Sequence, residues 1–202
     1  MMGPQMESSS RPGIGHNRAP GNGWQRYCWG RARKELIGHV PIEVVRMRMR
    51  RAKELGLAYP QYASILTGTG RDVVGFLFTA EGLRLKLARQ LEMPQEVREK
   101  LHGLVRCDRL ALSPEAEVPS DFIEELQQVA GVEFAGCGSS PATGANWGAA
   151  RRRILDVLAP LRLPGDAVVL IGSREEEAGW KSAAKLGGFI LGQDYFTEQM
   201  PS

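Results

Sequence analysis

Residues 166–189 constrain the fold of this chain more than any other stretch. A turn ending in Gly165-Asp166 leads into Ala-Val-Val-Leu-Ile-Gly172, a run of branched apolar residues too short for a helix and right for a buried strand. Ser173 then opens a helix through Arg174-Glu-Glu-Glu177, and an amphipathic run continues to Phe189. A strand, a tight turn and a helix in this order are the unit from which α/β proteins build a ligand site at the carboxyl end of a strand.

Further units of the same kind surround it. Val73–Phe78 is a compact apolar run that reads as a buried strand, and Val132–Cys137 reads as a short one. Asp121 with Glu124 three residues on predicts a capping box for a helix from Phe122 to Ala130, closed by Gly131. Asn146 is placed to cap a helix from Trp147 to Leu161. Thr79–Gly82 turns into a helix from Leu83 to Leu91, another runs from Gln95 to Val105, and residues 106–118 read as a connection. Two strands joined through a helix of this length fit a βαβ crossover. The expected class is α/β, with a small, mainly parallel sheet in three layers and a helical, basic N-terminal part.

The net charge of +3 conceals a division. Residues 1–112 hold 19 Lys and Arg against 10 Asp and Glu, and residues 113–202 hold 7 against 13. The first 23 residues are rich in Gly, Pro and Ser and predict an unstructured tail. Residues 24–112 form a basic, largely helical part with one strand at 73–78, and residues 113–202 an acidic α/β part; a single domain over 24–202 is the alternative. Trp24–Ile37 reads as a helix, Gln61–Leu66 as a short one, and Ile42–Leu55 as the most basic element, stopped by Gly56. Val44, Val45, Met49, Ala52 and Leu55 recur near a 3.6 period there, and Arg46, Arg48, Arg50, Arg51 and Lys53 fill much of the remainder. Those five cations are either a solvated face or a surface for an acidic protein or nucleic acid. A helix-turn-helix reading finds no recognition helix after the Gly-rich turn.

No run of about 18 apolar residues predicts a transmembrane helix, and the first 40 residues carry no secretory apolar core. Cys28, Cys107 and Cys137 are far apart without a C-x-x-C, which predicts a reducing cytoplasm rather than a disulfide framework. His16, His39 and His102 form no pair at helical spacing, so no metal site and no cofactor are expected.

Two loops carry the candidate ligand chemistry. Gly136-Cys137-Gly138-Ser139-Ser140 follows a strand and precedes a helix, so its N–H groups and hydroxyls could cradle an anion, although it matches neither a Walker loop nor a dinucleotide fingerprint. Cys137 lacks the arginine of a C-x5-R phosphatase loop, since Thr143 stands there, and no catalytic residue is assigned. The second loop is Gly172–Glu177, where Ser173 with Glu176 reads as a capping box and Glu175, Glu176 and Glu177 complement the helix dipole.

The segment Val168–Gly188 resembles the fourth motif of haloacid dehalogenase-like hydrolases, an apolar strand followed by G-D-x-x-x-D and a helix ending in Ala-Gly. Gly172 matches the glycine, and Ser173 and Glu177 fall where the two aspartates would stand. Those family acids hold Mg²⁺ beside a nucleophilic aspartate, so the resemblance implies a phosphate-handling ancestry. The family's first motif, D-x-D-x-[TV], is missing, and Val73–Phe78 carries no carboxylate. The resemblance therefore implies a related sheet without the hydrolase chemistry, or a degenerate hydrolase using loops 136–140 and 172–177.

Overall fold

The computed structural model describes residues 40–87 and 91–197, and those from Glu43 onward belong to one compact unit. The tail expected over 1–23 and the helix expected over Trp24–Ile37 lie outside the described residues. In chain order the elements are α1 (Ile42–Glu54), α2 (Tyr59–Thr69), β1 (Gly75–Thr79), β2 (Lys86–Leu87), β3 (Leu91–Glu92), α3 (Gln95–His102), β4 (Asp108–Ser113), α4 (Pro119–Ala130), β5 (Gly136–Ser139), α5 (Trp147–Leu158), β6 (Val168–Gly172), α6 (Glu175–Ala184), β7 (Gly188–Leu191) and α7 (Gly192–Thr197). No helix among the described residues is long and apolar enough to cross a membrane.

Five strands pair in parallel in the order β5-β4-β1-β6-β7. The chain steps outward from β1 through β4 to β5, returns to lay β6 on the other side of β1, and finishes at β7. That order is Rossmann-like, with its switch point between β1 and β6. The sheet draws strands from both charge halves, and β4 spans the residues at which the balance changes sign.

Alternation along the strands builds two cores. Phe76 and Phe78 of β1, Ala111 of β4 and Val169 and Ile171 of β6 face one side, against Leu101 of α3, Phe122 and Leu126 of α4 and Tyr195 and Phe196 of α7. Leu77, Leu110, Leu112, Val168 and Leu170 face the other, against Ile154 and Val157 of α5 and Ala184 of α6. Every residue of β1 and β6 is buried, which is why both read as continuous apolar runs.

Several expectations differ from the structure, among them the strand expected over Val132–Cys137, which lies at Gly136–Ser139. Residues 106–118 contain strand β4 rather than a plain connection: Leu110-Ala-Leu112 stands between Asp108-Arg109 and Ser113-Pro114, too short an apolar run to signal a strand. The helix expected over 83–91 is a single turn, with Leu83 N–H donating to the Thr79 carbonyl; Arg84 then enters the left-handed region at φ 55° and a hairpin follows. The run to Phe189 is likewise not one helix. Lys185 at φ 56° ends α6, and β7 begins at Gly188. Finally, α4 starts at Pro119 behind Val118 with no side-chain cap, so Asp121 sits in the first turn as a charge complementing the dipole instead of capping.

Candidate functional site

The carboxyl ends of β1, β4 and β6 open onto the loops that follow them, and these loops shape a concavity lined by polar and charged side chains. Directly above the switch point the chain fills its own crevice. Gly82 lies so close on the Ile171 carbonyl, and Gly192 on the Gly82 carbonyl, that a Cβ at either position would collide with backbone. Arg174 reaches across from the β6 loop to Glu81 of the β1 loop at 3.1 Å.

Beside this plug is a cleft of about 440 Å³. Its walls include Glu81 after β1, Glu115 after β4, the loop from Ser140 to Ala145, Trp147 at the start of α5, and Arg174, Glu176, Glu177 and Trp180 of the α6 region. Local sequence explains the frame. Asn146 caps α5 as expected, its Oδ1 accepting from the Ala149 N–H at 2.9 Å. The α6 start falls one residue later than the expected capping box: Arg174 is the N-cap, and Glu177, not Glu176, reaches back. Its Oε2 accepts from the N–H groups of Ser173 at 2.6 Å and Arg174 at 3.2 Å.

Glu177 is the unusual group here. It is only 1 % exposed, and its second oxygen, Oε1, is buried without a hydrogen-bond partner. Burial holds its carboxyl above the usual carboxylate range; the Arg174 and Ser173 N–H groups oppose that shift, and nearby Glu81 adds to it. A carboxyl that ionises later folded than unfolded binds more protons in the folded chain, so stability falls as pH rises from the ordinary carboxylate range through the raised value. Gln at this position keeps a carbonyl oxygen for the two N–H donors and carries no charge. Thermal melts from about pH 4 to pH 8 are expected to show Glu177→Gln gaining on the parent as pH rises. Parallel curves across that window would show that Glu177 pays no such penalty.

The two loops read from the sequence are drawn to the cleft unequally. Ser140 and Glu177 border it; Gly136, Cys137, Gly138, Ser139 and Ser173 do not. Gly136–Ser139 is strand β5 itself, paired from Leu110↔Gly136 to Ser113↔Ser139, so it is not a free anion-binding loop. Even the Ser140 N–H donates to the Ser113 carbonyl at 3.0 Å. Gly138 is needed for packing, because a Cβ there would strike the Val157 side chain of α5. Burial pushes the Cys137 thiol up to about 11 and Cys107 up to about 12, which keeps both protonated at neutral pH.

Mg²⁺ of the kind implied by the resemblance does not fit these residues. Ser173 and Glu177 stand at the matching places, but Glu177 Oε2 is committed to the α6 start and β1 ends in Thr79 rather than an acid. No group of three or more His, Cys, Asp or Glu among the described residues is arranged to hold a metal ion.

The basic set of α1 also divides. Arg51 is a structural tie. Its guanidinium donates to Asp72 and Glu54 and to the carbonyls of Val73, Val105 and Arg106 at 2.7–3.1 Å. Arg46 is exposed and paired with Glu43 at 3.0 Å, Arg48 is half-buried, and Arg50 and Lys53 are exposed. Met49, expected on the apolar face, is 53 % exposed, so only Ala52 and Leu55 of that period reach the core fully.

Sequence reading missed Glu81, Glu115, Trp147 and Trp180 as site residues. Glu81 carried a usable signal, since it follows the end of a predicted strand, where α/β sites form. Glu115 carried none while β4 was unrecognised. Compared with protein-family models, curated proteins and solved structures, the chain matches none of them. The haloacid dehalogenase-like resemblance rests on residues 168–188 alone.

Proposed function

We propose that this chain is a non-catalytic, cytoplasmic binding protein whose ligand is a small molecule held in the cleft between the β1, β4 and β6 loops and the starts of α5 and α6. The observation that carries this reading is the buried, half-satisfied carboxylate of Glu177 on the wall of a 440 Å³ concavity. Such atoms are uncommon in folded chains, and one on the wall of a concavity is placed to take a donor from a ligand. The volume falls within the roughly 300–1,000 Å³ of small-molecule sites. A phosphate at the α6 start is the less favoured ligand, because Glu177 already takes the Ser173 and Arg174 N–H groups an anion would use.

Gly179 provides the test. It borders the cleft, lies within α6 and has open space where a side chain would go. Phe there fills the cleft without disturbing backbone. In ligand-observed NMR against a polar fragment collection, fragments that bind the parent are expected to be lost in Gly179→Phe. A collection without binders, or binders indifferent to the substitution, would overturn the reading.

A second reading keeps the basic helix. A groove of about 690 Å³ between α1 and α2 is bordered by Arg48 and Arg50, beside Arg51 and Arg106 that Glu54 and Asp72 already engage, and the first two favour an acidic protein or nucleic acid there. Arg46, Arg48 and Arg50 changed to Glu, with Arg51 left in place, are expected to abolish salt-sensitive retention on heparin; unchanged retention would remove this reading.

A further inference from the structure

We propose that the cleft receives the protonated head of an organic amine or guanidine, which donates N–H to Glu177 Oε1 and is flanked by Trp147 and Trp180. This rests on the cleft being a ligand site and adds the chemistry of the ligand. Three features converge on it.

The first is the unpaired oxygen. Oε1 is an acceptor, so the missing partner is a donor. A buried carboxylate oxygen without one is costly, and a charged donor offsets the cost better than a neutral one. The second is the charge of the walls. Glu81, Glu115, Glu176 and Glu177 border the cleft against Arg174 alone, and Arg174 is already paired with Glu81. An anionic head would meet an excess of like charge. A cationic head neutralises it. The third is the pair of indoles. Trp147 is 66 % exposed at the rim, and Trp180 is half-buried within the same wall. Indole faces attract ammonium and guanidinium groups and shelter the apolar stem behind them. A bare metal ion has no use for them, and the residues for a metal cage are absent among those described.

Calorimetry on the full chain separates the possibilities, with butylguanidinium, butylammonium, 1-butanol, butyrate, inorganic phosphate and magnesium chloride as probes at one ionic strength. The two organic cations are expected to bind roughly tenfold or more tightly than 1-butanol, with no heat from butyrate or phosphate. Glu177→Gln, which keeps the carbonyl that caps α6, is expected to weaken butylguanidinium roughly tenfold. Trp147→Ala, at an exposed position that folding does not depend on, is expected to weaken it several-fold and carries the test should Glu177→Gln fail to fold. Equal affinity for cation and alcohol, binding of butyrate or phosphate instead, Glu177-dependent binding of Mg²⁺, or cation binding untouched by Trp147→Ala would each overturn the proposal. Fragments blocked by Gly179→Phe but showing no preference for cations would leave the ligand site standing and remove only its charge preference.

Discussion

Truncation of Phe78 to alanine is expected to lower folding stability by about 3–5 kcal/mol. Phe78 is wholly buried on β1, the central strand, and lies at the middle of an aromatic group. Its ring centroid is 5.9 Å from Phe76 and 6.3 Å from each of Phe134, Tyr195 and Phe196. Those partners come from three separate places in the chain, Tyr195 and Phe196 being adjacent, and Tyr195 is itself held by other groups. Tyr195 Oη donates to the Leu55 carbonyl at 3.0 Å, and Lys100 lies over the Tyr195 ring while donating to its carbonyl. The surroundings therefore relax little into the space a benzyl group leaves, which places the loss near the upper part of the range. With total stabilities of about 5–15 kcal/mol for single domains, the variant would stand near its folding threshold. Urea unfolding reads the loss directly, and a change below about 1 kcal/mol would contradict the packing of this cluster.

Arg51→Ala is expected to be the second most damaging change, costing about 2–4 kcal/mol. Arg51 links α1 to the strand ends rather than to any partner. It meets Asp72 and the Val73 carbonyl just before β1 and the Val105 and Arg106 carbonyls just before β4. Asp72 in turn accepts from the Tyr62 hydroxyl at 3.0 Å and from the Val73 N–H at 2.8 Å, which ties α2 into the same node. Burial and the Asp72 carboxylate push the Tyr62 phenol up to about 12. Removing the guanidinium takes a donor from three carbonyls and from the Asp72 and Glu54 carboxylates. Arg50→Ala, one residue away and exposed, is expected to change stability by less than about 0.5 kcal/mol. Thermal melts of the two variants side by side make the comparison, and equal melting temperatures would show that Arg51 is a surface cation like its neighbour.

The contrast between Arg50 and Arg51 shows how far residue type reaches. A row of cations in a helix announces a basic surface, but which of them turns inward depends on carbonyls some 22 to 55 positions away in the chain. The strands divide in the same way. β1 and β6 are central, buried on both faces, and stand out as apolar runs. β4 is central too, yet its first two residues are charged and only the four that follow are buried. β5 is an edge strand of Gly-Cys-Gly-Ser, half-buried throughout, so its composition resembled a loop. β7 followed a helix that ends on a left-handed lysine, a stop that residue type does not advertise.

The segment from Asp166 to Phe189 summarises the division through its own atoms. Local sequence determined that a buried strand would run through Val168–Ile171, that a turn would follow Gly172, and that a helix with three glutamates in its first turn would come next. These are short-range consequences of branched apolar residues, of glycine and of the helix dipole. Only the tertiary structure decided which glutamate turns back. Gly172 leaves room for a carboxylate where a Cβ would strike it. Glu175 and Glu176 stay in solvent, whereas Glu177 is buried with one oxygen satisfied and one not. Burial is a property of everything packed around a residue, summed over distant segments, and so it is written in the fold rather than in the neighbouring residues.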